Sequence, residues 1–143
     1  MNVEGQCHCS NIRFELVLDS APAYIPARAC DCSFCVKHGG VWTSIPGATL
    51  KVKVGDSALH SRYAFGTRTA DFHVCTRCGS VPLVTCEMTG RTYAVVNVNC
   101  FEGVSPTLLR RVPASFEGED VENRLARRAR NWISNVQFTS GIV

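Results

Sequence analysis

A chain of 143 residues, 45% of them hydrophobic, has the length and apolar content of one ordinary domain, and no apolar run in it is long enough to span a bilayer. Its formal net charge of +3, from 15 basic and 12 acidic residues, is too mild for a nucleic-acid-binding surface, and much of the basic excess sits in Arg124, Arg127, Arg128 and Arg130. With nine cysteines, an odd number, and no apolar leader ahead of Gly5, the expectation is one domain over residues 1–143, cytoplasmic, with neither membrane nor nucleic acid as a partner.

Taken in chain order, residues 12–18 alternate apolar Ile12, Phe14 and Leu16 with Arg13 and Glu15, the pattern of a strand with one covered face. Residues 21–26 read as a surface connection. Further strands are expected at 41–45, 50–54, 59–65, 69–74, 81–85 and 93–98, punctuated by Pro46-Gly47, Gly55-Asp56, Gly66 and Thr89-Gly90. Residues 103–113 read as a second surface connection. Beyond them Val121, Leu125, Ala129, Trp132 and Ile133 recur at helical spacing, with Glu122, Arg124, Arg127 and Arg130 on the other faces, so an amphipathic helix is expected to pack on the sheet. The fold class is therefore mainly β: short antiparallel strands with one C-terminal amphipathic helix.

Seven of the nine cysteines form three tight clusters: Cys7-His8-Cys9, Cys30-Asp31-Cys32-Ser33-Phe34-Cys35 and Cys75-Thr76-Arg77-Cys78-Gly79. Cysteines two or three positions apart can aim both sulfurs at one ion about 2.3 Å away, since a C-x-x-C turn folds back on itself and C-x-C on a strand points both side chains to one face. Gly79, free to take positive φ, lets the backbone wrap such an ion. Disulfides are a poor alternative for an odd count of near neighbours. A thioredoxin-like role for Cys75 and Cys78 would leave the other clustered thiols without a purpose. Closed structural zinc sites take four protein ligands and catalytic ones three, so seven cysteines divide as four plus three. Any two pairs could supply the four. The Cys30, Cys32 and Cys35 cluster alone offers three ligands from one loop, which makes it the natural open site.

Four motifs in this order carry a resemblance: Gly5-Gln6-Cys7-His8-Cys9 leading into Ile12-Arg13-Phe14; Cys30-Asp31-Cys32-Ser33-Phe34-Cys35 followed by Lys37; Phe72-His73-Val74-Cys75-Thr76-Arg77-Cys78-Gly79; and Val96-Asn97-Val98-Asn99-Cys100-Phe101-Glu102-Gly103. In these the chain resembles the glutathione-dependent formaldehyde-activating enzymes and their relatives, including centromere protein V, which share an Mss4-like, β-rich zinc fold. The resemblance implies a structural zinc on Cys7, Cys9, Cys75 and Cys78 and a catalytic zinc on Cys30, Cys32 and Cys35, two Zn²⁺ per chain. It further implies a carbon–sulfur lyase that makes or breaks an S-hydroxymethyl-type adduct of a small thiol such as glutathione with formaldehyde. Ser10 stands where the family pattern has glycine, and the chain is shorter than the founding members, so no residue that grips glutathione is carried over.

Three functions from different classes fit these residues. In the first, the open zinc polarises a substrate thiolate or carbonyl oxygen as a Lewis acid. In the second, the zinc clusters scaffold a non-catalytic interaction module. In the third, oxidation of Cys30, Cys32 or Cys35 releases metal, as in a zinc-thiolate redox sensor. Lys37 and His38, just past Cys35, are candidates for a substrate anchor and a proton shuttle, against a solvated-surface role for each. Asp31 and Arg77 could orient amides or bind an anionic substrate, or be solvated. His8 and His73 read as surface or supporting residues, and His60 has no context. Cys86 and Cys100 read as buried apolar side chains, and Trp42 and Phe34 as pocket wall or core.

Overall fold

A computed structural model describes residues 1–140. In chain order its elements are β1 (Asn2–Gln6), β2 (Ile12–Val17), β3 (Ile25–Cys30), α1 (Ser33–His38), β4 (Val41–Thr43), β5 (Thr49–Val54), β6 (His60–Tyr63) and β7 (Asp71–Cys75). Then come β8 (Leu83–Met88), β9 (Arg91–Asn97), β10 (Phe101–Glu102), β11 (Leu109–Ala114), α2 (Val121–Asn131) and β12 (Asn135–Ser140). The molecule is mainly β, as the alternation and turn spacing imply. Among the described residues no helix is long and apolar enough to cross a membrane.

Two sheets form, in the orders β10-β1-β2-β5-β12 and β11-β3-β4-β9-β8-β7-β6. In the first, Ile12, Phe14 and Leu16 of β2 and Leu50, Val52 and Val54 of β5 face inward, while Arg13, Glu15, Lys51 and Lys53 face water. One core joins these side chains to Ile25, Leu83, Ala94 and Val96 of the second sheet. Gly5 lies opposite Phe14 in the β1–β2 register, and a Cβ there would overlap the Phe14 ring. Gly5→Val is therefore expected to destabilise the protein by about 1–3 kcal/mol, seen as a lower urea midpoint at constant m-value; an unchanged midpoint would mean that the ring moves aside at no cost.

The second sheet is covered on both faces, which explains why Leu83–Cys86 and Ala94–Asn97 are buried at every position rather than at alternate ones. Leu83, Ala94 and Val96 point into the core between the sheets, whereas Val84, Cys86 and Val95 point the other way, into a second cluster with Cys35, Trp42 and Trp132. Period-2 alternation thus serves two cores.

Five strands escape the sequence pattern, β1, β3, β10, β11 and β12, and they bring two parallel pairings to an otherwise antiparallel scheme. β3 starts at the end of the 21–26 stretch expected to be a surface connection and runs past it, and it pairs in parallel with β11, which lies mostly in the second expected connection; β12 pairs in parallel with β5 beyond the helix expected to end the fold. Edge position explains β11, whose residues Arg110 to Pro113 are all exposed and so carry no alternation.

α2 begins at Asp120, whose carboxylate accepts the Asn123 N–H at 2.8 Å, and stops before Trp132. Of the expected apolar stripe, Leu125, Trp132 and Ile133 are covered, but Val121 and Ala129 are exposed. The helix turns Arg124, Arg127 and Arg128 inward in their place.

Candidate metal centres and active site

Cys7 and Cys9 sit in the turn after β1, Cys75 ends β7, and Cys78 lies in the turn that follows it. The expectation that Cys7 and Cys9 project from one strand face is thus replaced by a turn-borne pair. All four sulfurs fall within 4.8 Å of one another. Cys7 Sγ is 3.8 Å from Cys9 Sγ, which is 3.5 Å from Cys75 Sγ; sulfurs around a tetrahedral zinc stand about 3.8 Å apart. Gly79, at φ 80°, reverses the chain so that its N–H donates to the Cys75 carbonyl at 2.7 Å. Ser10, where the resemblance leads one to expect glycine, also has positive φ, 64°, and its hydroxyl donates to the Cys9 carbonyl at 2.6 Å. A serine supports there a turn that glycine makes without strain.

Cys7 and Cys75 are fully buried. Burial pushes the Cys7 thiol up to about 12, outweighing the Ile12 N–H that donates to it at 3.2 Å, and raises Cys75 also. At Cys78 burial acts in the same direction but is overcome by N–H groups led by that of Ser80, bringing the thiol down to about 5. Four sulfurs this close, two of them resisting ionisation, form a cluster that can ionise fully only around a cation. The donor set fits zinc.

The second cluster is built at a strand-to-helix junction. Cys30 ends β3, Cys32 is the N-cap of α1, and Cys35 lies in its first turn, so the three sulfurs again fall within 4.8 Å. The Cys35 N–H points at Cys32 Sγ at 3.4 Å, the Cys32 N–H at Cys30 Sγ at 3.5 Å, and the Trp42 indole N–H at Cys35 Sγ at 3.3 Å. A hydrogen bond from the Cys35 thiol, against opposing burial, draws Cys30 down to about 6 and raises Cys35 in turn. Gly39, at φ 73°, ends the helix after six residues. Three donors without a fourth leave one position of a zinc tetrahedron open.

Cys30, Cys32 and Cys35 all line a cavity of about 510 Å³, a size that suits a small organic ligand. Trp42, Phe72, Val84, Val95 and Trp132 make its apolar wall, with Asp31 and Ser33 beside the cysteines. Arg28 and three arginines of α2, Arg124, Arg127 and Arg128, make its charged wall. The helical spacing put Arg124 and Arg127 on the solvent side, and sequence reasoning gave Arg28 and Arg128 no role. Glu119 pairs with Arg127 at 2.9 Å and Arg124 at 3.6 Å, and the Arg127 hydrogen bonds hold its carboxyl below the usual range.

Other candidates fall elsewhere. Neither Lys37 nor His38 lines the cavity: Lys37 is exposed, while His38 packs 4.3 Å from the Phe34 ring, with burial lowering its proton affinity. Phe34 belongs to an aromatic cluster with Tyr63, Phe65 and Phe72, of which Phe65 and Phe72 line the cavity, and Trp42 is wall and core at once. His8 and Arg77 are exposed. His60 does acquire a context, since its Nε2 lies 2.8 Å from Nδ1 of His73, a buried ring whose Nε2 meets Thr85 Oγ1 at 2.7 Å. Burial lowers His73 to about 3, so this pair is a neutral packing network. Cys86 is buried as expected, and Cys100 half-buried against the inter-sheet core.

Comparison with known proteins places the chain in a family. Residues 2–115 match the family described as glutathione-dependent formaldehyde-activating enzyme. A Halomonas elongata protein provisionally named as such an enzyme is 32% identical over 87 residues, 56% of this chain and 54% of its own length, so the chain spans about half of that curated relative in the match. The crystal structure of a Rhodobacter sphaeroides protein superposes with a TM-score of 0.59 at 35% identity, covering 77% of this chain and 97% of that one.

Proposed function

The chain belongs to the family of glutathione-dependent formaldehyde-activating enzymes, and from that premise we propose that it is a zinc-dependent carbon–sulfur lyase acting on the adduct of a small thiol, such as glutathione, with formaldehyde or a related aldehyde. One observation carries this reading beyond family membership: the three-cysteine cluster opens on a ligand-sized cavity, whereas the four-cysteine cluster lines neither that cavity nor the shallow groove beside β1. Cys7, Cys9, Cys75 and Cys78 would hold a structural zinc; Cys30, Cys32 and Cys35 would hold the catalytic one.

Cleavage of a thiohemiacetal breaks its carbon–sulfur bond, forms the carbonyl, and moves the hydroxyl proton to the departing sulfur; synthesis is the reverse. Zinc on the three cysteines would supply Lewis acidity toward sulfur or oxygen, blunted by a net charge of −1 with three thiolates, which suits a reaction this easy. The protein's own groups do the rest. The α1 amide and the Trp42 indole hold the sulfurs in place by hydrogen bonds. Trp42, Phe72 and Trp132 exclude water from the reacting atoms. The Asp31 carboxylate and Ser33 hydroxyl, which line the cavity with the cysteines, would take and return the proton.

Freshly purified protein should contain about two zincs per chain by elemental analysis. It should also accelerate exchange between glutathione, formaldehyde and their S-hydroxymethyl adduct above the spontaneous rate, read by exchange NMR. Two bound zincs without acceleration would overturn the lyase reading and leave the interaction module.

A further inference from the structure

The charged wall of the cavity carries more positive charge than the protein neutralises. Arg124 and Arg127 share Glu119, with Arg127 Nε and Nη2 at 2.9 and 3.0 Å from its two oxygens. Arg28 and Arg128 share no acid: among the described residues neither forms an ion pair. Arg128 is 6% exposed; its Nη1 reaches Thr69 Oγ1 at 2.9 Å and Cys86 Sγ at 3.5 Å, its guanidinium lies 4.9 Å over the Trp132 ring, and among the described residues its Nε has no hydrogen-bond partner. Half-buried Arg28 donates through Nη2 to Ser44 Oγ at 2.8 Å. The acids on the cavity lining, Asp31 and Glu117, are exposed and pair with neither. Neither arginine hydrogen-bonds Cys30, Cys32 or Cys35. Burial, with Arg127 nearby, lowers the proton affinity of both, as expected of crowded cations lacking a counter-ion.

Guanidinium groups do not discharge under such pressure; they stay charged and seek an oxyanion that can accept their planar fork. Leaving one buried without a counter-ion is strongly unfavourable, and here buried Arg128 and half-buried Arg28 line a ligand-sized space. The lining also holds aromatic rings, Trp42, Phe72 and Trp132, the last lying under the Arg128 guanidinium at 4.9 Å, and these offer a surface for an apolar body.

We infer that the cavity takes an organic carboxylate with an apolar body, its carboxylate anchored by Arg28 and Arg128, its body against the aromatic wall and its thiol or thiol adduct toward Cys30, Cys32 and Cys35. The thiol part rests on the lyase reading; the anion site does not. Arg128 stands on α2, beyond residues 2–115 that match the family.

The chain has two tryptophans, Trp42 and Trp132, and both line the cavity, so intrinsic fluorescence reports its occupancy without any turnover. The probes are 3-phenylpropanoate and its neutral counterpart, 3-phenylpropanamide, titrated into the full-length zinc-loaded protein. The acid is expected to bind at least about tenfold tighter than the amide, and Arg28→Gln or Arg128→Gln to remove about tenfold or more of the acid's affinity while leaving the amide's unchanged. Equal affinities for the two probes, or no saturable response to the acid, would overturn the anion site, and this comparison on the unaltered chain decides the matter even if a variant fails to fold. Protein that prefers the acid but accelerates no thiol-adduct exchange would lose the lyase reading alone; protein that turns over adducts without the preference would lose the anion site alone.

Discussion

Cys75→Ser is expected to leave a chain with no cooperative thermal transition at neutral pH. Cys75 ends β7 in one sheet and faces Cys9, 66 residues earlier in the turn that leaves β1 in the other, with their sulfurs 3.5 Å apart. Holding those two points together costs about 4 kcal/mol of loop entropy by the logarithmic closure law. A structural zinc contributes about 10–16 kcal/mol in small peptides, against a net stability of about 5–15 kcal/mol for a whole domain. Removing one of four ligands therefore takes away more than the molecule has in reserve, and it leaves the fully buried Cys7 thiol beside a vacated position. Circular dichroism during heating, with zinc counted on the same sample, tests this. A variant melting within about 4 °C of the parent would show that the cluster does not hold the sheets together through a metal. The parent treated with a strong chelator should follow the variant.

Cys32→Ser is expected to do the reverse, abolishing turnover while sparing the fold. Cys32 is half-buried and caps α1, its sulfur receiving the Cys35 N–H. Serine is a preferred N-cap, so the helix keeps its start. What is lost is one of three sulfurs in a site that already lacks a fourth. Zinc should fall from about two per chain to about one, and exchange of the thiol adduct should slow by about 10³-fold or more, since Lewis-acid stabilisation supplies several kcal/mol. Cys35→Ser is a less clean probe because Cys35 is buried and receives the Trp42 indole N–H. Undiminished turnover in folded Cys32→Ser would remove this cluster from the chemistry. Loss of both zincs together would show that the two centres are not independent.

These contrasting outcomes follow from cysteine spacings legible in the chain alone, because ligands two or three residues apart need only a turn to converge. The strands legible in the same way were those with one wet face, such as β2 with Arg13 and Glu15 outward. β11 was not legible, since an edge strand with solvent on both sides imposes no alternation. Neither was the pairing of His60 with His73, which arises across the β6–β7 register and leaves no local trace. α2 was legible as a helix and misread as to its inner face. Charged residues at helical spacing are assigned to water by default, and only the arrangement of Glu119, Phe116 and the cavity shows that these arginines turn inward.

By itself, then, the order of residues determined that the protein is mainly β, that its cysteines fall into clusters with the spacing of metal ligands, and that its motifs are those of a formaldehyde-activating family; each rests on side chains near one another along the chain. Residue spacing left open which clusters combine; the resemblance implied that Cys7 and Cys9 join Cys75 and Cys78, and it is the stacking of the two sheets that brings those four sulfurs together. Tertiary structure alone decided that the three-cysteine cluster lines a cavity, and that Arg28 of β3 and Arg128 of α2, a hundred positions apart, line that cavity together. Long-range convergence of this kind is set by packing, where apolar burial rather than local spacing chooses the neighbours.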